Sequence, residues 1–181
     1  MSNSHVIFIG GRSGVGKSTA AFALHDLLSA RDIRHAVIEG DSLDLAHPAP
    51  WGQRLVERNL ASIWANYLEA GYRRIIYTNT VSVLETESLI AAMGGAVEAT
   101  SVLLRGDDST IAARLGNREQ GESLERHLKS SARMAARLDQ AAAEGVHRLN
   151  TDALTSEAVA EQILALSSMP SMKRTSGSAC W

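Results

Sequence analysis

The chain has 181 residues, 45% of them hydrophobic and 21% charged, with a formal net charge of −2. That suits one soluble globular domain and excludes two full-sized ones, a collagen or a coiled coil. There is no basic surplus to hold nucleic acid or an anionic membrane surface. A single cysteine, Cys180, excludes an internal disulfide framework and argues against a cysteine zinc site. No apolar run approaches the roughly 20 residues of a membrane span. Met1–His5 lacks the basic start of a secretory leader. A cytoplasmic protein, monomeric or homodimeric, is the expectation.

Short β-branched runs alternate with longer helical patterns. Residues 6–9 (VIFI) form a compact apolar strand that ends in Gly10 and Gly11. From Lys17 the period changes, and Ala20, Ala23, Leu24, Leu27 and Leu28 define one helical face. Residues 36–39 read as a second strand. A long helix is predicted over 51–70, with Val56, Leu60, Ile63, Trp64 and Tyr67 on one stripe and Gly71 as its stop. A third strand follows at 74–77, a helix over 83–93 and a fourth strand over 99–104. Asp107 or Asp108 caps a helix carrying Ile111 and Leu115. A longer helix covers 123–143, a fifth strand 145–149 and a last helix 155–166. Residues 1–168 read as one domain, and 169–181 as a disordered tail. Alternation with near-continuous apolar strands predicts an α/β fold: a five-stranded parallel sheet with helices on both faces. Its chemistry belongs at the carboxyl ends of the strands.

Directly after the first strand stand Gly11, Arg12, Ser13, Gly14, Val15, Gly16, Lys17, Ser18 and Thr19. They fit G-x-x-x-x-G-K-[ST] in full. Glycines let the backbone turn several N–H groups onto one anion, and the following helix aims its positive end at it. Lys17 is placed for the β- and γ-phosphates of a nucleotide, and Ser18 for Mg²⁺. A dinucleotide fingerprint would need glycine where Thr19 stands. A guanine-reading N-K-x-D is absent, and the third strand ends in Tyr77-Thr78-Asn79 without a carboxylate.

The second strand ends Glu39-Gly40-Asp41. A carboxylate here can accept the proton of an incoming hydroxyl or hold magnesium through water. Asp41 is the first candidate, and Glu39 shares its face if both keep strand geometry. The phosphate loop followed after one helix by this triplet resembles the P-loop small-molecule kinases. Adenylylsulfate kinase, with D-G-D at this place, is one such relative, and chloramphenicol phosphotransferase-like and gluconate kinase-like proteins are others. The resemblance is strongest over residues 5–45. It implies a three-layer P-loop NTPase fold with a short lid at about 112–125. It also implies ATP, Mg²⁺ and phosphoryl transfer to a small acceptor. Glu39 departs from the first Asp of D-G-D, and the arginine that the family carries soon after it is absent, since Asp41 is followed by Ser42, Leu43 and Asp44.

Arg54 and Arg58, four apart, are candidates for holding the acceptor from one helical face. Asn79, at the end of the third strand, is another. Trp51 is placed either to stack on a ring or to start the core stripe. Arg114 and Arg118 flank a glycine-bearing break at Gly116, where lidded kinases supply arginines to the transferring phosphoryl group. Arg126, Arg133 and Arg137 are expected to pair with Glu122, Glu125 and Asp139 on a solvated face. The loop from Leu149 to Asp152 is expected beside the adenine. Two readings compete with a small-molecule kinase. One is a nucleotide-binding regulator without transfer, suggested by the missing carboxylate on strand three. The other is a toxin-like kinase of a sugar nucleotide.

Overall fold

The computed structural model describes residues 4–50, 52–117 and 120–167. Five strands form one sheet: β1 (Ser4–Gly10), β2 (Ala36–Glu39), β3 (Arg74–Thr78), β4 (Val97–Arg105) and β5 (His147–Asn150). Their order is β2-β3-β1-β4-β5, and every pairing is parallel. This is the α/β arrangement that the alternation predicts.

β1 is buried on both faces, which is why it reads as an unbroken apolar run. Ile7 and Ile9 face the helices α1 (Lys17–Ala30) and α6 (Ser156–Leu166), packing with Leu24, Leu28 and Ile163. Val6 and Phe8 face the opposite layer, with Leu60 and Trp64 of α2 (Leu55–Glu69) and Leu89 of α3 (Thr86–Ala92). Each such side chain, fully buried, contributes about 1.5–3 kcal/mol. The Trp64 indole N–H donates to the Met93 carbonyl at 3.1 Å and ties these two helices together. A smaller cluster of Val83, Leu103 and Leu138 docks α5 (Gly121–Ala141) beside β4, with α4 (Asp108–Gly116) leading into it.

Two helices are shorter than the periodicity predicts. α2 starts at Leu55, because Gly52 (φ 77°) and Arg54 (φ 51°) lie in the left-handed region, which a right-handed helix cannot contain. Trp51 lies outside the described residues. α3 starts at Thr86. The preceding stretch forms turns instead, with Leu84 N–H on the Val81 carbonyl (2.8 Å) and Glu85 N–H on that of Ser82 (3.2 Å). β5 extends one residue past Leu149, since Asn150 pairs with Arg105. The predicted tail at 169–181 also lies outside the described residues. Among the described residues no helix is long and apolar enough to cross a membrane.

Candidate active site

β1 delivers the chain into the phosphate loop at the carboxyl edge of the sheet. Gly16 caps α1 with φ 103° and ψ 25°, a conformation an L side chain rarely adopts. That turn leaves the first N–H groups of α1 open toward the cleft, where its dipole favours negative charge. The Gly11 N–H donates to the Thr80 carbonyl at 3.1 Å, and Val15 N–H closes the loop on the Arg12 carbonyl at 3.3 Å. From outside, the Ser13 hydroxyl meets His127 Nε2 at 2.8 Å, and the Ser131 hydroxyl donates to the Ser13 carbonyl at 3.0 Å. α5 therefore braces the loop.

A cleft of about 550 Å³ runs along this loop. Lys17, Ser18, Asp41 and Arg114 line one part of it, and Thr151, Leu154, Ser156 and Val159 the other. Lys17 Nζ donates to the Gly11 carbonyl at 3.0 Å, so its ammonium lies folded across the loop. Burial lowers its pKa below the ordinary 10.5, opposed by the nearby charges of Asp41 and Glu39. Arg114 Nη1 donates to the Val15 carbonyl at 3.0 Å. The Thr151 hydroxyl, in the loop after β5, donates to the Arg105 carbonyl at 3.1 Å. Asp152 accepts from the Asp107 N–H through both carboxylate oxygens, at 2.9 and 3.0 Å. The loops after β4 and β5 are thus fixed together at the end of the cleft where the adenine is expected.

The structure corrects several readings of the acceptor side. Gly40–Ser42 form a 3₁₀ turn, so Asp41 and Glu39 do not continue one strand face. Asp41 faces the cleft. Glu39 Oε2 instead accepts from the Ser18 hydroxyl at 3.2 Å. Arg54 is the left-handed N-cap of α2, its carbonyl accepting the Arg58 N–H at 3.1 Å, so only Arg58 lies within the regular helix and the two do not share a helical face by spacing alone. The Arg54 guanidinium is held by Glu57 at 3.0 Å. Neither arginine lines the cleft, and neither does Asn79, whose amide oxygen accepts from the Val81 N–H at 2.8 Å. Arg118 lies outside the described residues. Arg12 is buried, and its guanidinium is occupied by Asp108 and the Gly106 carbonyl. Asp139 pairs with Arg105, not with an arginine of its own helix.

Two groups that the fold implies can be tested against these residues. A nucleotide polyphosphate fits: the loop offers open N–H groups, a lysine and an arginine. Mg²⁺ fits as well. Glu39 Oε1 is buried without a hydrogen-bond partner, and its other oxygen is on Ser18. A hydroxyl beside a carboxylate is hard-oxygen chemistry suited to this ion. No group of three or more His, Cys, Asp or Glu side chains forms a metal cage among the described residues. Mg²⁺ usually needs none, because it keeps waters and phosphate oxygens as ligands.

With this geometry in view, residues 3–59 match the adenylylsulphate kinase family. Comparison with curated proteins gives no match. Among solved structures, the chain is similar to the tunicamycin resistance protein of Deinococcus radiodurans (TM-score 0.60, 20% identity, covering 90% of this chain and 95% of that one). It is also similar to a gluconokinase from Sinorhizobium meliloti 1021 (0.58, 19%, 92% and 93%). A third is the APS kinase of Mycobacterium tuberculosis in complex with AMPPNP and APS (0.55, 17%, 92% and 98%). The fold is that of the P-loop small-molecule kinases.

Proposed function

We propose that the chain is an ATP-dependent, Mg²⁺-requiring kinase that transfers the γ-phosphoryl group to a hydroxyl of a small molecule. The observation that carries this reading is one cleft lined by Lys17, Ser18, Asp41 and Arg114 along the phosphate loop. Lys17 and the loop N–H groups hold the β- and γ-phosphates. Ser18 and Glu39 hold Mg²⁺, which when bound neutralises charge on the phosphate oxygens. Asp41 takes the acceptor's hydroxyl proton as the new O–P bond forms and the bond to ADP breaks. Arg114 stabilises the equatorial oxygens of the group in transfer. A lid over about 112–125, carrying Arg114 and Arg118, excludes water from the step.

The carboxylate missing from β3 favours a regulator without transfer only if no other group replaces it. Glu39, brought to Ser18 from β2, is that replacement, so transfer is the better reading. A coupled ADP-release screen tests it, using nucleosides, adenylylsulfate, sugars, sugar nucleotides and aminoglycosides as acceptors. Acceptor-stimulated release that Asp41→Asn abolishes, with nucleotide affinity retained, is the expected result. ATP binding without acceptor-dependent release across the panel would overturn it.

A further inference from the structure

His127 and Ser131 of α5 are four residues apart and share one helical face. Both are spent on Ser13 of the phosphate loop. His127 Nε2 meets the Ser13 hydroxyl at 2.8 Å, and the Ser131 hydroxyl donates to the Ser13 carbonyl at 3.0 Å. Ser131 is 3% exposed, so its bond is made away from bulk water. Leu124 and Leu128 of the same helix pack against the main core and fix the face that carries the pair.

The bond from Ser131 decides which way one peptide faces. Residues 12–15 form a β-turn, closed by the Val15 N–H on the Arg12 carbonyl at 3.3 Å. Gly14, third in this turn, has φ 82°, the sign of the type II form. Type I keeps the same closing bond and differs by a flip of the central peptide, here Ser13–Gly14. Glycine accepts either sign of φ, so neither the closing bond nor Gly14 itself chooses between the two forms. The Ser131 hydroxyl does, by holding the Ser13 carbonyl against α5.

That choice matters to an anion. The Ser13–Gly14 peptide is trans, so its carbonyl and its N–H point to opposite sides. With the carbonyl turned out to α5, the Gly14 N–H is turned the other way. Ser13 and Gly14 line the cleft, whereas no α5 residue does among the described residues. Nor does the Gly14 N–H donate to another backbone group among them. The flipped peptide would set a carbonyl oxygen against the phosphates and remove one donor.

We propose that Ser131 is a positioning residue for phosphate binding. It locks the Ser13–Gly14 peptide with its N–H toward the cleft, ready for a phosphate oxygen of the nucleotide, and His127 keeps Ser13 within its reach. The proposal rests on the nucleotide-binding part of the kinase reading and not on the transfer step.

The Gly14 amide is the direct readout, followed by heteronuclear NMR of the full chain. The probes are a non-hydrolysable ATP analogue with Mg²⁺, inorganic tripolyphosphate, and adenosine. In the parent chain the Gly14 amide proton is expected to move downfield with the first two and not with adenosine. Ser131→Ala is expected to lose that shift and to weaken both polyphosphates by about 10- to 100-fold, the scale of a hydrogen bond to a charged group. Adenosine affinity should stay unchanged, and Ser131→Thr, which restores the hydroxyl, should recover most of the loss. His127→Ala should give a smaller loss of the same pattern, which His127→Gln reverses. Should Ser131→Ala not fold, Ser131→Cys, of similar size and a poor donor, takes its place. A Gly14 shift that persists in the variant, or equal weakening of adenosine and tripolyphosphate, would overturn the assignment. If the parent binds neither polyphosphate, the assignment and the nucleotide reading fall together. A Ser131-dependent Gly14 shift without ADP release on any acceptor would leave the assignment standing and remove only transfer.

Discussion

The Ser18 hydroxyl and the Glu39 carboxylate meet at 3.2 Å, although β2 is not the neighbour of β1. β3 lies between them, and Glu39, Thr78 and Ile9 are level across the three strands. Two strand spacings of about 4.8 Å separate Ile9 from Glu39. The helix closes that gap: α1, which begins at Lys17 and Ser18, packs against both β3 and β2, and Ser18 reaches Glu39 from it.

Glu39→Gln tests what the contact is for. If Glu39 holds Mg²⁺ with Ser18, the Mg²⁺ concentration for half-maximal rate rises by about 10- to 100-fold. Folding should change little, because the amide keeps the shape and an oxygen for the Ser18 hydroxyl while removing a charge whose Oε1 is buried without a partner. A Mg²⁺ titration of ADP release, set beside a thermal melt, checks both. An unchanged Mg²⁺ requirement would make the contact purely structural.

Arg114 donates to the Val15 carbonyl at 3.0 Å, and its guanidinium lies over Gly16. Arg114→Ala is expected to lower kcat by about 10³-fold or more if this guanidinium stabilises the phosphoryl group in transfer. Nucleotide affinity should fall much less. Arg114→Lys should not restore the rate, because a point charge lacks the planar fork. Separate measurements of kcat and of nucleotide Kd decide it.

Much of this arrangement was legible in the chain. β1 is an apolar run buried on both faces, and the phosphate loop is a local motif whose glycines fix their own conformation. Both are set by residues close in sequence. Strand order is not, because the place of β3 between β1 and β2 depends on packing of α1, α2 and α3 against distant strands. The contact of Glu39 with Ser18 is not legible for that reason, and the 3₁₀ turn that separates Glu39 from Asp41 has no period to read. Arg54 reads as part of the helix because the left-handed backbone at Gly52 and Arg54 lies just ahead of the apolar stripe and leaves no mark on its period. The Ser13–His127 contact spans 114 residues and leaves no local signal.

His35 provides a pH dependence away from the cleft. Its Nδ1 lies 2.6 Å from the Ile33 carbonyl, which can only accept, so Nδ1 carries the proton. Nε2 of the neutral ring then accepts from His25 Nδ1 at 2.8 Å. Burial lowers the His35 pKa below 6.5, helped by the charges of His25 and Arg74 and opposed by the Ile33 bond. The folded state therefore binds fewer protons than the unfolded chain just below pH 6.5. Stability is full above that value and is lost as pH falls toward the folded pKa. His5, lowered by burial, acts in the same direction. His35→Gln should flatten part of the fall in Tm between about pH 7 and 5, and a melt series in that range measures it. An identical slope in the variant would remove His35 from the account.

Gly40 carries the last prediction. A Cβ there would lie 2.3 Å from Tyr77 Cζ and its hydroxyl, and 2.8 Å from the Thr78 carbonyl. The carbonyl is backbone and cannot turn aside. Tyr77 is hemmed in too, stacked edge-on to Phe8 with ring centroids 5.6 Å apart. Gly40→Ala should cost about 2–3 kcal/mol, the upper range for overpacking a core. Tyr77→Phe should cost little or stabilise the fold, since it deletes only a buried hydroxyl that has no partner. In combination, Tyr77→Phe should not rescue Gly40→Ala, because Cζ and the Thr78 carbonyl still block the added methyl. Urea denaturation of both single variants and the double variant checks the set. Full rescue by Tyr77→Phe would show that the hydroxyl alone makes glycine necessary there.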